Sequence, residues 1–194
     1  MAIKITPRPS VSSILILTLL FFLASCSGPT LYVHPSANFS LVKRVAVLPF
    51  DNLTDERTAG EIVHDIFVTQ LLARGLFGVV EQGEVMRVIR EKGLNPSKGL
   101  SATEAKTLGR ALNIQGIILG TVEVYEPSKR GGNISYPVVA FSVRMVEVEK
   151  GEVIWKTGYS KDGLTLPYRL FGLNSKEIPT LTQEVANALL KTIE

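Results

Sequence analysis

One thiol stands in a setting that invites chemistry: Cys26, directly after Leu23, Ala24 and Ser25. These small residues close an uncharged apolar run that follows Lys4 and Arg8. A basic start, an apolar centre of roughly 7 to 15 residues and small residues at the cut make up a bacterial lipoprotein signal peptide. Cleavage before Cys26 leaves a cysteine to be acylated, with a diacylglycerol on its sulfur and an acyl chain on its new amino group. The expected modification is therefore covalent lipid, palmitate-type chains included, and no other cofactor. Ile14 to Leu23 is too short for a helix that spans a bilayer. Cys26 is also the chain's single cysteine, so no disulfide can form within the chain even in an oxidising compartment. The competing reading is an ordinary secretory signal with a cysteine at its end by coincidence. Ser27 is not the aspartate that holds many enterobacterial lipoproteins at the inner membrane, so the expected place is the outer membrane, facing the periplasm.

Other reactive arrangements are poorly represented. His34 and His64 lack the histidine, cysteine and carboxylate spacing that holds zinc. His64 reads as a half-buried or solvent-facing helix residue. No serine sits in a Gly-x-Ser-x-Gly elbow, and Glu81, Glu84 and Glu91 read as solvated helix charges rather than a glycosidase pair. Gly75, Gly78 and Gly83 match neither dinucleotide nor P-loop spacing. The chain carries 21 basic and 18 acidic residues; loss of Lys4 and Arg8 with the signal leaves 19 against 18. Such near-neutrality argues against electrostatic binding of nucleic acid, which needs a concentrated basic patch. A non-enzymatic protein without a metal site is the expectation.

Three regions position the remaining residues: a signal peptide over 1–25, the lipidated cysteine and a flexible tether over 26–40, and one domain over 41–194. The tether reading rests on two prolines and the lack of any periodic pattern. Val42 to Phe50 reads as a buried strand that Pro49 interrupts. Ile62, Val63, Ile66, Phe67 and Leu71 recur at helical spacing and Gly75 closes that helix. Phe77 to Glu81 is a short strand, and Val85, Val88 and Ile89 mark a helix ending at Gly93. Ser101-Ala102-Thr103-Glu104 has capping-box spacing ahead of a helix through Leu108 to Leu112. Strands follow over Ile114 to Val124, Val138 to Val148 and Glu152 to Tyr159, the last two joined by a turn at Glu149-Lys150-Gly151. A final helix covers about Pro179 to Ile193. Arg144 and Glu147 fall on opposite parity, which predicts a β-bulge near Met145 and Val146 or one charge pointed inward, and the bulge is favoured. Trp155 belongs to the core or its margin. The predicted class is α/β, a single domain with a mixed sheet of about five strands and about four helices.

Three blocks in this order resemble the CsgG-like lipoprotein family: Arg44 to Asn52, Ala105 to Asn113 leading into Gly116 to Gly120, and Val143 to Val153. The resemblance covers most of residues 41–193. It implies a fold shared with the penicillin-binding-protein activator LpoB and the amino-terminal domain of TolB. It also implies a lipid-anchored, periplasm-facing domain that binds other proteins, with homo-oligomeric rings among its members, and no catalysis.

The channel-forming members build a pore from two long hairpins per subunit, and the interval Glu126 to Pro137 lies where one is expected. A membrane-crossing strand needs about 9 to 11 residues with apolar side chains at alternate positions. Two prolines, two adjacent glycines and two basic residues read instead as an exposed hairpin tip or flexible contact loop. Leu53 to Thr58 also lacks the aromatic residue by which channel members narrow their pore. The resulting expectation is an accessory or scaffold lipoprotein of envelope assembly or secretion; the alternative is a subunit of a ring-forming export channel. Candidate partner-binding residues are Lys129, Arg130 and Tyr136 in the first loop and Leu164, Leu166, Tyr168, Leu170 and Phe171 in a second. The second loop either exposes an apolar patch or covers one face of the sheet.

Overall fold

The computed structural model describes residues 28–96, 99–131, 134–165, 167–168 and 175–194. Its centre is a mixed sheet of seven strands: β1 (Thr30–Val33), β2 (Arg44–Val47), β3 (Asp51–Asn52), β4 (Gly78–Val79), β5 (Gly116–Gly131), β6 (Ile134–Glu147) and β7 (Val153–Asp162). The spatial order is β1-β7-β6-β5-β2-β4, with β3 continuing beside β5 beyond β2. β2 runs parallel to β4 and β5, whereas β5, β6, β7 and β1 pair antiparallel. The parallel part is the valine-rich part: Val45, Ala46 and Val47 are buried because both sheet faces are covered there.

Among the described residues four longer helices do the covering: α1 (Ala59–Arg74), α2 (Gln82–Lys92), α3 (Ala102–Leu112) and α4 (Ile178–Leu190). On one face α1 contributes Val63, Phe67 and Leu71, and α4 contributes Leu181, Val185 and Leu189, each set four residues apart and fully buried. They pack with Ile118, Phe141, Met145 and Trp155 of the sheet. Each such side chain contributes about 1.5–3 kcal/mol relative to an exposed position. On the other face Val85, Val88 and Ile89 of α2 and Ala105, Leu108 and Leu112 of α3 cover Ala46, Leu48, Ile117 and Leu119. α3 lies so close that a Cβ placed on Gly109 would stand 2.0 Å from a Val148 methyl. Helix ends follow the sequence signals. Gly75 and Gly93 adopt the left-handed conformation that stops α1 and α2, and Ser101 with Glu104 closes both halves of the capping box on α3.

The five expected strands are β2, β4, β5, β6 and β7, and the mixed α/β sheet with four helices is as expected; β1 and the two-residue β3 bring the strand count to seven. β1 corrects the reading of 26–40 as a flexible tether. Thr30–Val33 pair with Gly158–Trp155, the Thr157 hydroxyl donates to Thr30 O at 2.7 Å, and Phe39–Leu41 form a 3-10 turn capped by Asn38. All four residues of this strand are exposed, so its sequence carries no alternation to mark it. The predicted irregularity at Met145 and Val146 is present, but the extra residue is Ile154 on β7, since Met145 opposes Trp155 and Val146 opposes Val153. Arg144 and Glu147 therefore point to opposite faces, and the Glu147 carboxylate accepts the backbone N–H groups of Glu149 and Lys150 in the turn. Trp155 is fully buried, its indole N–H donating to Thr192 Oγ1 at 3.0 Å.

Candidate partner-binding surface

β5 and β6 outrun the rest of the sheet. β7 stops at Asp162 opposite Val138, whereas β6 begins at Ile134 and pairs with β5 through Tyr136–Lys129, Ser135–Arg130 and Ile134–Gly131. Of the two readings of this stretch, exposed hairpin tip or flexible contact loop, the pairing agrees with the first: it is a two-stranded arm. Register shifts at Val122/Val124 and at Glu126/Lys129 free extra residues on β5 and bend the hairpin. Pro127 and Pro137 fall at the second shift, where ladder hydrogen bonds are already interrupted, which is how an arm containing two prolines pairs at all. Lys129 and Arg130 are exposed on it, Tyr136 is half-buried, and the hydroxyls of Ser128 and Ser135 are hydrogen-bonded across it.

The second candidate segment folds back on this arm. Gly163 N–H donates to Pro137 O at 2.8 Å, and a Cβ at Gly163 would meet the Pro137 ring at 2.6 Å, so glycine is what allows the turn. Leu164 N–H donates to the Asp162 carboxylate at 3.1 Å and Tyr168 N–H to Thr165 Oγ1 at 3.1 Å. The Tyr168 hydroxyl donates to Ser135 O at 2.6 Å and accepts from Ser135 N–H at 3.3 Å. Leu164 and Tyr168 are half-buried. The structure therefore joins Tyr168 to the Lys129–Tyr136 arm and holds Leu164 in the turn beside it, at Asp162. Leu166, Leu170 and Phe171 lie outside the described residues, as do Cys26 and the Leu23-Ala24-Ser25 stretch before it.

Charge fixes the base of the segment. Glu184 of α4 pairs with Lys161 of β7 at 2.7 Å and with Lys176. Burial pushes its carboxyl up, but hydrogen bonds from the two lysines outweigh that and hold it below the usual glutamate range. Tyr125, beneath the arm, is shifted up by burial and by the nearby Glu56 carboxylate, with the Thr182 hydroxyl opposing.

A separate cleft of about 500 Å³ separates α1 from the β4 edge, lined by His64, Asp65, Val68, Leu72, Val79 and Glu81 among others. Contrary to the half-buried or solvent-facing reading, His64 is only 3% exposed; its Nδ1 lies 3.1 Å from the Asp65 carboxylate and its ring meets Phe50 edge-on at 5.4 Å. A histidine on an apolar helix face gives no sequence sign of which ring will shelter it. Among the described residues no group of three or more histidine, cysteine or carboxylate side chains is placed to hold a metal, and no helix is long and apolar enough to cross a membrane.

The fold is found in solved structures. A PelC dodecamer from Paraburkholderia phytofirmans superposes with a TM-score of 0.60 at 18% identity, over 87% of this chain and 99% of that one. Lipoprotein GNA1162 from Neisseria meningitidis gives 0.57 at 15%, over 78% and 97%. The hypothetical protein CT253 from Chlamydia trachomatis gives 0.53 at 13%, over 78% and 95%. No curated protein sequence matches the chain at a significant level. The sequence family described as the curli production assembly/transport component CsgG matches residues 27–162, from just before β1 to the end of β7, and the chain belongs to that family.

Proposed function

We propose that this chain is an outer-membrane lipoprotein, anchored by diacylglycerol and N-acyl chains on Cys26, whose periplasm-facing domain binds and positions a protein partner in envelope assembly or secretion. Its role is that of a non-enzymatic scaffold. The observation that carries the reading is the β5–β6 arm, which leaves the sheet with Lys129 and Arg130 exposed and is braced from behind by Tyr168. A charged projection on a tethered domain suits recognition of a partner held at the same membrane, because tethering raises the effective concentration. Family membership supports an assembly or transport role. Photo-crosslinking from position 129 in living cells tests it: a discrete adduct with one envelope protein, lost when the arm is shortened, is expected. No adduct, with the lipoprotein at normal level, would reject it.

A ring-forming export channel is the alternative, and the dodecameric state of PelC, which shares the fold, favours oligomerisation. Against membrane crossing by this hairpin, among the described residues β6 projects beyond β7 by 134–137 alone, far short of the strand length a bilayer demands. Conductance across a planar bilayer distinguishes the two, since a scaffold gives none even when its native mass in detergent is that of a ring.

A further inference from the structure

Among the described residues β1 is the outermost strand of the sheet, paired only with β7, and no strand pairs with the backbone groups of its other edge. Leu31, Tyr32 and Val33 on it are 53%, 48% and 40% exposed. Three consecutive large apolar residues on an open edge are a liability unless something covers them. The chain leading to them is short: Thr30 is four residues after Cys26, and four extended residues reach at most about 14 Å. Across the sheet from Tyr32, on the same face, come Lys156 of β7 and then Arg144 of β6. Lys156 is exposed, Arg144 half-buried, and neither forms an ion pair among the described residues.

We infer that the β1 edge is a membrane-contact surface, seated on the bilayer that holds the lipid of Cys26. The inference rests on the anchor proposed above and adds an orientation to it. Leu31 and Val33 lie among the upper acyl carbons, and Tyr32 sits at headgroup level, where its ring and hydroxyl find both environments. Lys156 and Arg144 face anionic lipid phosphates. Because open backbone groups are not tolerated in hydrocarbon, the strand rests at the interface and does not cross it. The sheet is thereby held edge-on to the membrane, with β4 at the far edge. A second copy pairing along the same edge is the rival occupant.

Acylation of Cys26 removes the chain's single thiol, so a cysteine introduced by Tyr32→Cys can be labelled alone. The lipidated protein carries an environment-sensitive fluorophore there, or at Leu72→Cys on α1 near the β4 edge as reference. It is reconstituted into phosphatidylethanolamine/phosphatidylglycerol vesicles containing a headgroup-proximal spin-labelled lipid. Unchanged Trp155 emission verifies folding, and Leu31→Cys serves as a second probe. Quenching several-fold stronger at 32 and 31 than at 72 is expected, falling when Lys156→Glu and Arg144→Glu are combined. Equal, weak quenching at all three sites, with lipid on Cys26 verified by mass spectrometry, overturns the surface and leaves the anchor standing. A label at 32 shielded equally in detergent micelles of a multi-chain native mass assigns the edge to a second copy and overturns it as well. An unmodified thiol at Cys26 in protein from the native host removes the anchor, and this inference with it.

Discussion

The Tyr168 hydroxyl both donates to and accepts from the backbone of Ser135, doing for that residue what β7 does for the residues after it. β6 has outrun its neighbour at Ser135, and one phenol replaces a missing strand.

Tyr168→Phe removes this replacement while keeping the ring. We expect a loss of about 0.5–1.5 kcal/mol confined to the arm. Hydrogen exchange at the Ser135 amide should accelerate markedly while amides of Val143 and Met145 keep their protection. Equal acceleration throughout β6 would mean that the arm and the sheet open as one unit.

Phe50 lies flat against Gly120: a Cβ there would sit 2.6 Å from three ring carbons. Phe50 also contacts Phe67 and Phe141, so the ring has little room to retreat. Gly120→Ala should destabilise the domain by about 1–3 kcal/mol in urea titrations. Adding Phe50→Leu should recover part of the loss. Strict additivity of the two substitutions would show that the contact is not the cause.

Glu184 predicts an acid limb in stability. Its folded carboxyl titrates below the usual range, so at intermediate pH the unfolded chain binds more protons. The contribution is present above the unfolded value, about 4.3, and fades as pH falls through the folded one. Glu184→Gln should cost no more than about 1 kcal/mol per lost pair near neutrality, since the group is partly solvated. The gap between wild type and variant should close toward pH 3. A gap independent of pH would contradict the assignment.

Lys129→Glu with Arg130→Glu should leave the thermal midpoint unchanged, because exposed substitutions away from packed features stay within about 0.5 kcal/mol. The same pair should abolish the crosslink from a neighbouring arm position such as Ser128. Persistence of the adduct would move recognition away from these charges.

Much of the architecture could be read because local chemistry and global packing agree. Gly75, Gly93 and the Ser101–Glu104 box end or start helices where they should, and Val45 to Val47 are buried on both faces as their unbroken apolar run implies. The sequence leaves the arm open between hairpin tip and flexible loop because Pro127 and Pro137 ordinarily break strands. What rescues pairing is a register shift that only the partner strand reveals. β1 is illegible for a related reason: an edge strand exposed on both faces has no period in its sequence. Of the candidate contact residues, Lys129 and Arg130 were recognisable as exposed charges. The attachment of Tyr168 to Ser135 joins positions far apart in sequence and left no local trace.

The pairing of β1 with β7 also sets an order in time. Thr30 meets Gly158 across 128 residues, among the widest separations in the molecule, whereas the β5–β6 and β6–β7 hairpins close locally. β1 therefore cannot find its place until the chain has been made through Gly158. Loop closure over that distance is slow compared with hairpin zipping. The first residues of the domain to be synthesised are among the last to be locked, so a chain cut short before β7 keeps Leu31, Tyr32 and Val33 as an unpaired, aggregation-prone end.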